Sequence, residues 1–403
     1  MIRKVLMALL LLAAPACTGS SSNGGATKGE VLVVVSAPLT AQPWIGRFAE
    51  RGAQLAAREL NASGGAAGKK VVVSVLDNRG SPQQAVANAR TAVAKHALAL
   101  IIDGVGAIAT ADVTDPASLP TFIVFEGGAS LVDAKERPTL FRMAPANKPM
   151  ATRLSDYMSE KVKVAGLLSD DSTFGREGSA QTRIAFKRNE IKLVSDSTVP
   201  EGTSDVAAQV LEARRNGAKA LVVWTRATGL AAAVRAARSS GWDVPIYAGP
   251  TGEDPLVRQR LADHPEWIEG LTFVSFRITS ETGPAPFKAY REDYEKAFGV
   301  EKVGVKAGGR DVLMPPDWSM YSYDSVKLIA AVLKNSGGRL GPPLMEAMQR
   351  TVITGANGDE RGFGVEDREG VSPDDMYFGV FHDMRFASVK DDILSTNLPV
   401  VEQ

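Results

Sequence analysis

This chain has few cysteine and histidine residues and no excess of charge of one sign. There is one cysteine in 403 residues, which excludes an internal disulfide bond. The three histidines are scattered at His96, His264 and His382 without the spacing of a metal site, so we predict no bound metal. Lys plus Arg and Asp plus Glu both number 46, with no block of like charge. Nucleic acid is therefore not an expected partner.

Hydrophobic runs long enough to span a bilayer as a permanent helix are also missing. The apolar run Val5–Ala14 follows two basic residues and ends in small residues just before Cys17. This pattern is typical of an export signal, and we interpret residues 1–16 as a signal peptide. Residues 17–29 include a Gly/Ser-rich stretch and are predicted to form a flexible tether.

The overall composition is that of an ordinary globular protein, with 44% hydrophobic and 23% charged residues. Single hydrophobic cores stop growing near about 250–300 residues, so a chain of 403 residues is expected to fold into two lobes. No G-x-S-x-G motif of a serine hydrolase occurs.

The first part of the globular region predicts a βαβ unit. Val31–Val35 is short, mostly β-branched and apolar throughout, as expected of a strand buried on both faces. A loop, Ser36–Gly46, leads to a predicted helix, Arg47–Asn61, and Val71–Leu76 forms the second strand. The long loop leaves the carboxyl end of the first strand, which is where open α/β sheets bind their ligands.

The same alternation of strands and helices continues along the chain and predicts an α/β fold with two doubly wound parallel sheets. The further predicted strands are Leu98–Ile102, Thr121–Phe125, Val164–Leu168, Leu193–Val199, Ala220–Val223 and Leu271–Phe276. The further predicted helices are one capped by Ser81, Ala151–Val162, Arg176–Arg188, one capped by Ser204, Gly229–Ser240, Phe287–Phe298 and Trp318–Lys334. The segment Phe141–Pro149 contains two prolines and is predicted to cross between the lobes. Gly304–Pro316, rich in Gly and Pro, is predicted to be a mobile surface segment.

Several short motifs carry a resemblance to a known family. They are Ala37–Thr40, Glu59–Gly65, Phe141–Arg142, Asp171–Gly175, Arg235–Gly241 with Gly249–Pro250, and Tyr323–Val326. The set resembles the periplasmic binding proteins of the branched-chain amino acid (Leu/Ile/Val) transporter family, and it is spread over most of the chain after the tether. No single motif would suffice, but together they are specific.

The resemblance implies a type I periplasmic binding fold, in which two lobes are joined by three crossovers. The implied lobes are residues 30–144 with 277–361 and residues 145–276 with 362–395, and the crossovers are expected near Ala144–Pro149, Phe276 and Gly362. A small molecule would be closed between the lobes and delivered to an ABC-type permease with a cytoplasmic ATPase. The resemblance implies neither an enzymatic activity nor a cofactor, and the protein is expected to be a monomer.

The segment around Cys17 carries a second resemblance. Ala14-Pro15-Ala16-Cys17 followed by Gly- and Ser-rich residues is similar to a bacterial lipoprotein signal with Cys17 as the lipidated residue. This implies a protein anchored at the cell envelope by its lipid. Ordinary cleavage after Ala16 would leave the same cysteine unmodified, and it stays open as the alternative.

The resemblance also points to ligand-binding residues in the loops that follow the strands. The set is Trp44, Gly106, Ala107, Ala129, Ser130, Phe174, Trp224, Arg226, Thr251 and either Met320 or Tyr321. At three positions the chain departs from amino-acid binders. Near Ala107 this chain lacks the hydroxyl residue with which amino-acid binders hold the ligand carboxylate. Phe174 replaces a tyrosine of those proteins, and Thr251 replaces the acid that neutralises the ammonium group. Glu253 is close enough in sequence to supply that acid instead.

These departures predict the class of ligand. Burying an unpaired ammonium group costs several kcal/mol, enough to remove useful affinity. Trp44, Phe174 and Trp224 would supply flat apolar surface, while Arg226 and backbone N–H groups would hold one acid or carbonyl group. We therefore expect a small apolar or aromatic molecule, neutral or singly anionic, in preference to leucine, isoleucine or valine.

Two other functions remain as alternatives. An exported ligand-sensing protein without transport would have the same two-lobed form. The run Gly104–Ala109 with Glu126 imitates a dinucleotide-binding fingerprint, which would indicate an enzyme. Its strand is third in the lobe rather than first, which disfavours that function. Asp103 and Glu126 would then be carboxylates at the edge of the cleft.

Overall fold

In the computed structural model the described residues are 29–276, 285–314, 316–372, 376–389 and 400–401. The predicted signal peptide and Cys17 lie outside these ranges, as does nearly all of the predicted tether. Most of the segment after Phe276, where a crossover is expected, also lies outside them. No helix within the described ranges is long and apolar enough to cross a membrane.

The first sheet has five parallel strands in the order β2-β1-β3-β4-β5. Its strands are β1 Glu30–Ala37, β2 Lys70–Asp77, β3 Ala99–Ile102, β4 Thr121–Ile123 and β5 Leu140–Arg142. The helices between them are α1 Pro43–Ala62, α2 Pro82–Ala94 and α3 Ala107–Thr114. We call this sheet, with the elements packed on it, the first lobe.

Burial of β1 on both faces explains its sequence. Val31, Val33 and Val35 point into one hydrophobic cluster, whereas Leu32 and Val34 point into a second cluster on the other face. Because successive side chains of a strand alternate between faces, a strand covered on both sides must be apolar at every position. The predicted buried strand is thereby confirmed, extended by one residue at its start and by two at its end.

The second sheet repeats the strand order of the first and then extends it. Its parallel strands, in the order β7-β6-β8-β9-β10, are β6 Val164–Asp170, β7 Lys192–Val199, β8 Leu221–Trp224, β9 Ile246–Ala248 and β10 Leu271–Phe276. The helices around it are α4 Asn147–Ser159, α5 Thr173–Arg188, α6 Ala207–Arg215, α7 Ala227–Ser239 and α8 Pro255–Arg260. These elements form the second lobe, and the α/β fold with two parallel sheets is confirmed.

After β10 the chain returns to the first lobe and later rejoins the second sheet. The returning elements are α9 Ala285–Phe298, β11 Glu301–Ala307, β12 Arg310–Met314, α10 Met320–Asn335, α11 Pro342–Met348, β13 Val352–Thr354 and β14 Glu360–Gly362. Helix α10 packs along α1. The last strands, β15 Met376–His382, β16 Arg385–Val389 and β17 Val400–Val401, extend the second sheet beyond β10. Since β15 is antiparallel to β10 and β16 to β15, this edge of the sheet is mixed.

Several helices begin at residues other than those predicted. Helix α1 starts at Pro43 because proline suits the first position of a helix. Ser81 does cap α2, accepting a hydrogen bond from the Gln84 N–H. The prediction that Ser204 caps a helix is wrong, since α6 begins at Ala207 and its N-cap is Val206.

The segment Gly304–Pro316 was expected to be a mobile loop, and it is instead mainly the second half of a β-hairpin. Strands β11 and β12 pair in antiparallel register, with Val303 and Val305 buried and Lys302 and Lys306 exposed. This alternation has the two-residue period of a strand. The Gly308–Gly309 turn has positive φ at both residues, 54° and 77°, which suits a tight hairpin.

The third crossover lies further along the chain than Gly362. The ring of Phe363 lies 4.7 Å from Phe141 of β5, and the Gly370 N–H donates to the Arg142 carbonyl at 2.8 Å. Residues 363–370 therefore stay on the first lobe. Because β15 begins at Met376 in the second sheet, the crossing falls between these two points.

Candidate functional site

A cavity of about 510 Å³ lies between the two lobes. Its volume is in the range of sites that enclose a small molecule, about 300–1,000 Å³. The first lobe contributes Ala41, Gln42, Pro43, Trp44, Ile45, Val124, Phe125, Trp318 and Tyr321. The first crossover and α4 contribute Ala144, Pro145, Asn147 and Met150, and the second lobe contributes Phe174, Glu201, Gly202, Arg226, Ala227, Thr228, Pro250, Thr251, Asp254, Leu256 and Gln259.

Four rings of the first lobe form what we call the aromatic wall: Trp44, Phe125, Trp318 and Tyr321. Trp318 lies 6.0 Å from Phe125, between ring centroids. Trp44 stands at the start of α1, where the loop after β1 folds back closely. A Cβ added to Gly46 would lie 2.7 Å from the Leu39 Cα, so only glycine permits this approach. The loop after the first strand thus delivers a ring to the cavity.

The second lobe supplies every charged residue of the cavity lining: Glu201, Arg226 and Asp254, which we call the charged wall. Arg226 follows β8, and its backbone N–H donates to Asp170 Oδ2 at 2.6 Å. Its guanidinium pairs with Glu201 at 3.2 Å and reaches the first lobe at Glu126, 2.9 Å away. Burial lowers the pKa of Arg226, but Glu126, Glu201 and Asp170 more than offset that effect, so the net pKa is raised. The side chain is therefore a fixed cation at the cavity edge.

Asp254 is the cavity carboxylate that is nearest in sequence to the position expected of an ammonium-binding acid. Its Oδ1 accepts from the Leu256 N–H at 2.8 Å and so caps α8. Burial raises the pKa of Asp254 to about 6, partly offset by that hydrogen bond and by Arg258 and Arg226. Glu253 is not in the cavity lining. Its Oε2 accepts from the Trp318 indole N–H at 2.6 Å, a contact between the two lobes.

A buried carboxyl group, Asp103, lies behind the cavity in the first lobe. Its Oδ1 accepts from Asn78 Nδ2 at 2.7 Å. Burial raises the pKa of Asp103 to about 7; the Asn78 hydrogen bond and Arg226 oppose the rise, and Glu126 adds to it. The carboxyl groups Asp103 and Glu126 are thus covered by protein, as the low exposure of both shows. They do not form an open acidic edge of the cleft.

The structure brings four of the ten predicted ligand-binding residues to the cavity: Trp44, Phe174, Arg226 and Thr251. Tyr321, the stated alternative to Met320, also lines it. The other six, which are Gly106, Ala107, Ala129, Ser130, Trp224 and Met320, are not in the lining. Whether the lining residues contact a ligand stays a prediction.

Packing explains why Trp224 and Met320 lie elsewhere. Trp224 has no exposed area, lies 5.2 Å from Phe174 between ring centroids, and donates its indole N–H to Thr182 at 2.7 Å. It supports Phe174 from behind and does not face the cavity. Met320 is 1% exposed and belongs to the core beneath α10.

Contacts to neighbouring elements account for the remaining four. Gly106 begins α3, and a Cβ added to it would lie 2.9 Å from the Pro82 Cα, so Pro82 covers this turn. Ala107 beside it is buried. Ser130 donates its hydroxyl and its backbone N–H to Glu177 of the second lobe. With the exposed Ala129 beside it, Ser130 forms a contact between the lobes outside the cavity.

Most of the other lining residues were not foreseen, and three of them are important for the ligand class: Asn147, Asp254 and Trp318. Asn147 lies in the proline-containing crossover, which was read only as a connection. Trp318 was taken as the first residue of a helix, whereas it lies in a short 3-10 turn before α10. A tryptophan next to a helix start was the available signal in the sequence.

Neither a metal site nor the dinucleotide fingerprint finds support in the geometry. Within the described residues there is no group of three or more side chains able to hold a metal ion. The fingerprint glycine Gly106 is covered by Pro82, and α3, Ala107–Thr114, is only 8 residues long. The positive end of that helix is therefore closed to a phosphate group.

Two α/β lobes of matching strand order, with a cavity lined by aromatic rings between them, define a two-lobed small-molecule binding protein. The sequence profile described as periplasmic binding protein matches residues 32–392, and the chain belongs to that family. It is a family of binding proteins, not of enzymes, and membership implies an extracytoplasmic location.

Comparison with individual proteins agrees with this membership. An amino acid binding protein of Pseudomonas aeruginosa is 25% identical over 339 residues, covering 82% of this chain and 84% of the relative. The branched-chain amino acid transporter substrate binding protein of Streptococcus pneumoniae, in complex with isoleucine, has a TM-score of 0.75 at 20% identity, over 89% of this chain and 97% of that one. A solute binding protein of an ABC transporter from Rhodopseudomonas palustris, in complex with 3,4-dihydroxybenzoic acid, has a TM-score of 0.73 at 18% identity, over 91% and 95%. The structural likenesses establish the fold.

Proposed function

We propose that this protein is a lipid-anchored solute receptor that captures a small apolar or aromatic molecule, neutral or singly anionic, and delivers it to an ABC-type permease. The observation that carries the proposal is the cavity between the lobes, with four aromatic rings on one side. Flat apolar surface in an enclosed site favours a ligand that buries carbon. Solved relatives of this fold hold isoleucine in one case and 3,4-dihydroxybenzoic acid in another, so both ligand classes fit the scaffold.

The charged wall supports a neutral or singly anionic ligand in preference to an amino acid. Arg226 is the cation among the described lining residues and could pair with a ligand acid, although Glu126 and Glu201 already share its charge. An amino acid also needs a partner for its ammonium group. Glu253 accepts a hydrogen bond from Trp318, and Asp254 uses one oxygen to cap α8. Both carboxyl groups therefore already have partners that a ligand ammonium group would have to compete with.

Calorimetry on the purified mature protein tests the ligand class. The titrants are 3-phenylpropanoate, 4-methylpentanoate, phenylalanine, leucine, isoleucine and valine. The proposal expects at least one of the two simple acids to bind more tightly than the amino acid with the same carbon skeleton. Micromolar binding of leucine that is lost in Asp254→Asn would contradict it, and would identify Asp254 as the ammonium partner.

The anchoring part of the proposal has its own test. Cys17→Ser removes the only thiol available for lipidation, so the protein should move from the membrane fraction to the soluble fraction of cells. A matched substitution in the tether, Ser21→Ala, should leave it at the membrane. Equal fractionation of Cys17→Ser and the parent chain would contradict a lipid anchor at Cys17.

A further inference from the structure

Three polar atoms without hydrogen-bond partners lie where the first crossover borders the cavity. They are Oδ1 and Nδ2 of Asn147 and Oε1 of Glu126. Asn147 has no exposed area and Glu126 is 5% exposed. We call these two side chains the polar corner.

Backbone contacts place Asn147 against Gly127, the residue that follows Glu126, and an ion pair joins Glu126 to the charged wall. The Asn147 N–H donates to the Gly127 carbonyl at 2.7 Å, and a Cβ added to Gly127 would lie 2.3 Å from Asn147 Oδ1. The Asn147 amide therefore lies against the residue that follows Glu126. The other oxygen of Glu126, Oε2, accepts from Arg226 Nη2 at 2.9 Å. Asn147 and Arg226 belong to the cavity lining, whereas Glu126 lies behind it.

Other buried asparagines of the first lobe are fully engaged, which makes the polar corner unusual. Asn88 is 4% exposed, donates to Ser36 Oγ at 3.0 Å and accepts from Gln84 at 3.0 Å. Asn78 donates to Asp103. A buried amide or carboxylate left without a partner costs free energy, so a ligand group that pairs with the polar corner would remove that cost.

We propose that the polar corner binds a hydroxyl group of the ligand and thereby makes closure of the lobes depend on it. The inference rests on the proposed function, since it names a second group on the same ligand. A single hydroxyl group accepts a hydrogen bond from Asn147 Nδ2 and donates its proton to Asn147 Oδ1. It therefore satisfies groups of both kinds in one position.

The chemistry of the polar corner disfavours the two charged groups that compete with a hydroxyl. An ammonium group has three donors and no acceptor, so it would leave Asn147 Nδ2 unpaired. A carboxylate only accepts, and it would lie beside the carboxylate of Glu126. A ligand acid would instead be held by Arg226, and in a 2-hydroxy acid it would lie next to the hydroxyl group.

Two sets of three compounds test the proposal, because the members of each set differ by one substituent. The aromatic set is 3-phenylpropanoate, 3-phenyllactate and phenylalanine, and the aliphatic set is 4-methylpentanoate, 2-hydroxy-4-methylpentanoate and leucine. In the set that binds, the hydroxy acid should bind the wild-type protein at least about tenfold more tightly than the unsubstituted acid. In Asn147→Leu the same ratio should fall below about threefold.

The matched control is Asn88→Leu, which removes an amide of the same lobe that has partners and does not line the cavity. It should lower the melting temperature of the ligand-free protein because it breaks hydrogen bonds, while the ratio between hydroxy acid and unsubstituted acid stays as in wild type. Asn147→Leu should not lower the ligand-free melting temperature, since its amide has no bonds to lose.

The outcomes separate this proposal from the proposed function. Unsubstituted and hydroxy acids that bind equally well to the wild type would overturn the hydroxyl site and leave the ligand class intact. Binding of the amino acids alone would overturn both. If no compound binds, the ligand class is wrong, and the melting temperature of ligand-free Asn147→Leu decides the other question: a clear drop shows a structural amide and overturns the inference.

Discussion

The two lobes present the same strand order to the cleft but line it with different chemistry. In each, the first strand leads into a helix whose first turn carries an aromatic residue of the cavity lining, Trp44 after β1 and Phe174 after β6. The strand next to it in the sheet, β8 in the second lobe and β3 in the first, leads to Arg226 in the second lobe. In the first lobe it leads to the covered glycine Gly106. Among the described residues, the first lobe thus lines the cavity with aromatic rings and without a charged side chain.

This difference indicates a division of labour between the lobes. Apolar burial is non-directional and roughly proportional to area, so the aromatic wall contributes affinity for many carbon skeletons. Charged groups in a partly buried site favour only a ligand that complements them. The second lobe, together with the polar corner, is therefore expected to decide which molecule is retained.

The largest expected effect comes from Asp103, the buried carboxyl group of the first lobe. The pKa of Asp103 is about 7, raised from 3.8, so between those values the folded state binds more protons than the unfolded state. The free energy of unfolding should then fall as pH rises from about 4 to 7, by up to about 4 kcal/mol from this residue. Asp103→Asn should flatten that slope in urea titrations across the pH range.

The control for this titration is Asp112→Asn, which changes an exposed carboxylate of the same lobe. It should leave the slope as in the wild type. A slope that is equally steep in Asp103→Asn would show that a group other than Asp103 causes the pH dependence.

The next effect removes the cation of the charged wall. Arg226→Ala leaves Glu126, whose side chain is 6% exposed, without its partner in the closed form. Breaking such a pair costs about 3 kcal/mol, allowing for the partial exposure of Arg226. Because opening hydrates Glu126, the cost should appear as affinity weakened by about 100-fold for the acid that binds best, measured by calorimetry. Arg183→Ala breaks an exposed pair with Asp196 in the same lobe and should change affinity by less than about twofold.

A smaller effect is expected at a hydrogen bond that joins the two lobes. Trp318→Phe keeps a ring in the aromatic wall and removes the indole N–H that Glu253 accepts. A hydrogen bond to a charged group is worth about 2 kcal/mol, and its loss should speed ligand release by roughly 30-fold in stopped-flow experiments. Trp242→Phe, outside the cavity lining, should leave the release rate unchanged; equal effects of the two would make the contact between walls irrelevant.

The smallest effect tests the aromatic wall alone. Trp44 is half-buried at the cavity, and Trp44→Ala removes roughly 60 Å² of covered ring, which is worth about 1.5 kcal/mol. The loss should be similar for aromatic and aliphatic ligands, about tenfold in each dissociation constant. Trp267→Ala, which removes a ring stacked on His264 outside the cavity lining, serves as control. A loss confined to one ligand would show that the first lobe also selects.

The fold was largely predictable because its determinants are local. A strand covered on both faces must be apolar at every position, and Val31–Val35 shows that directly in the sequence. The hairpin of β11 and β12 was missed, although its alternation of Val303 and Val305 with Lys302 and Lys306 and its Gly308–Gly309 turn have the period and turn of paired strands.

The site was less predictable because cavity lining depends on what packs behind each loop. Ser130 and Trp224 both lie near the expected region, but Glu177 and Thr182 engage them. The sequence indicates where a loop lies, but it does not show which side chain of another element packs against that loop. Asn147 shows the converse, since an amide in a connecting segment acquires its place only when both lobes are assembled around it.

Small-angle X-ray scattering of the mature protein tests most directly the claim that the lobes close on a ligand. The titrant is the compound of the calorimetric panel that binds most tightly. Saturation with it should shift the population toward the closed form and reduce the radius of gyration. A radius unchanged at saturating ligand would contradict the account, because it would show a rigid protein whose two walls do not move together around what they bind.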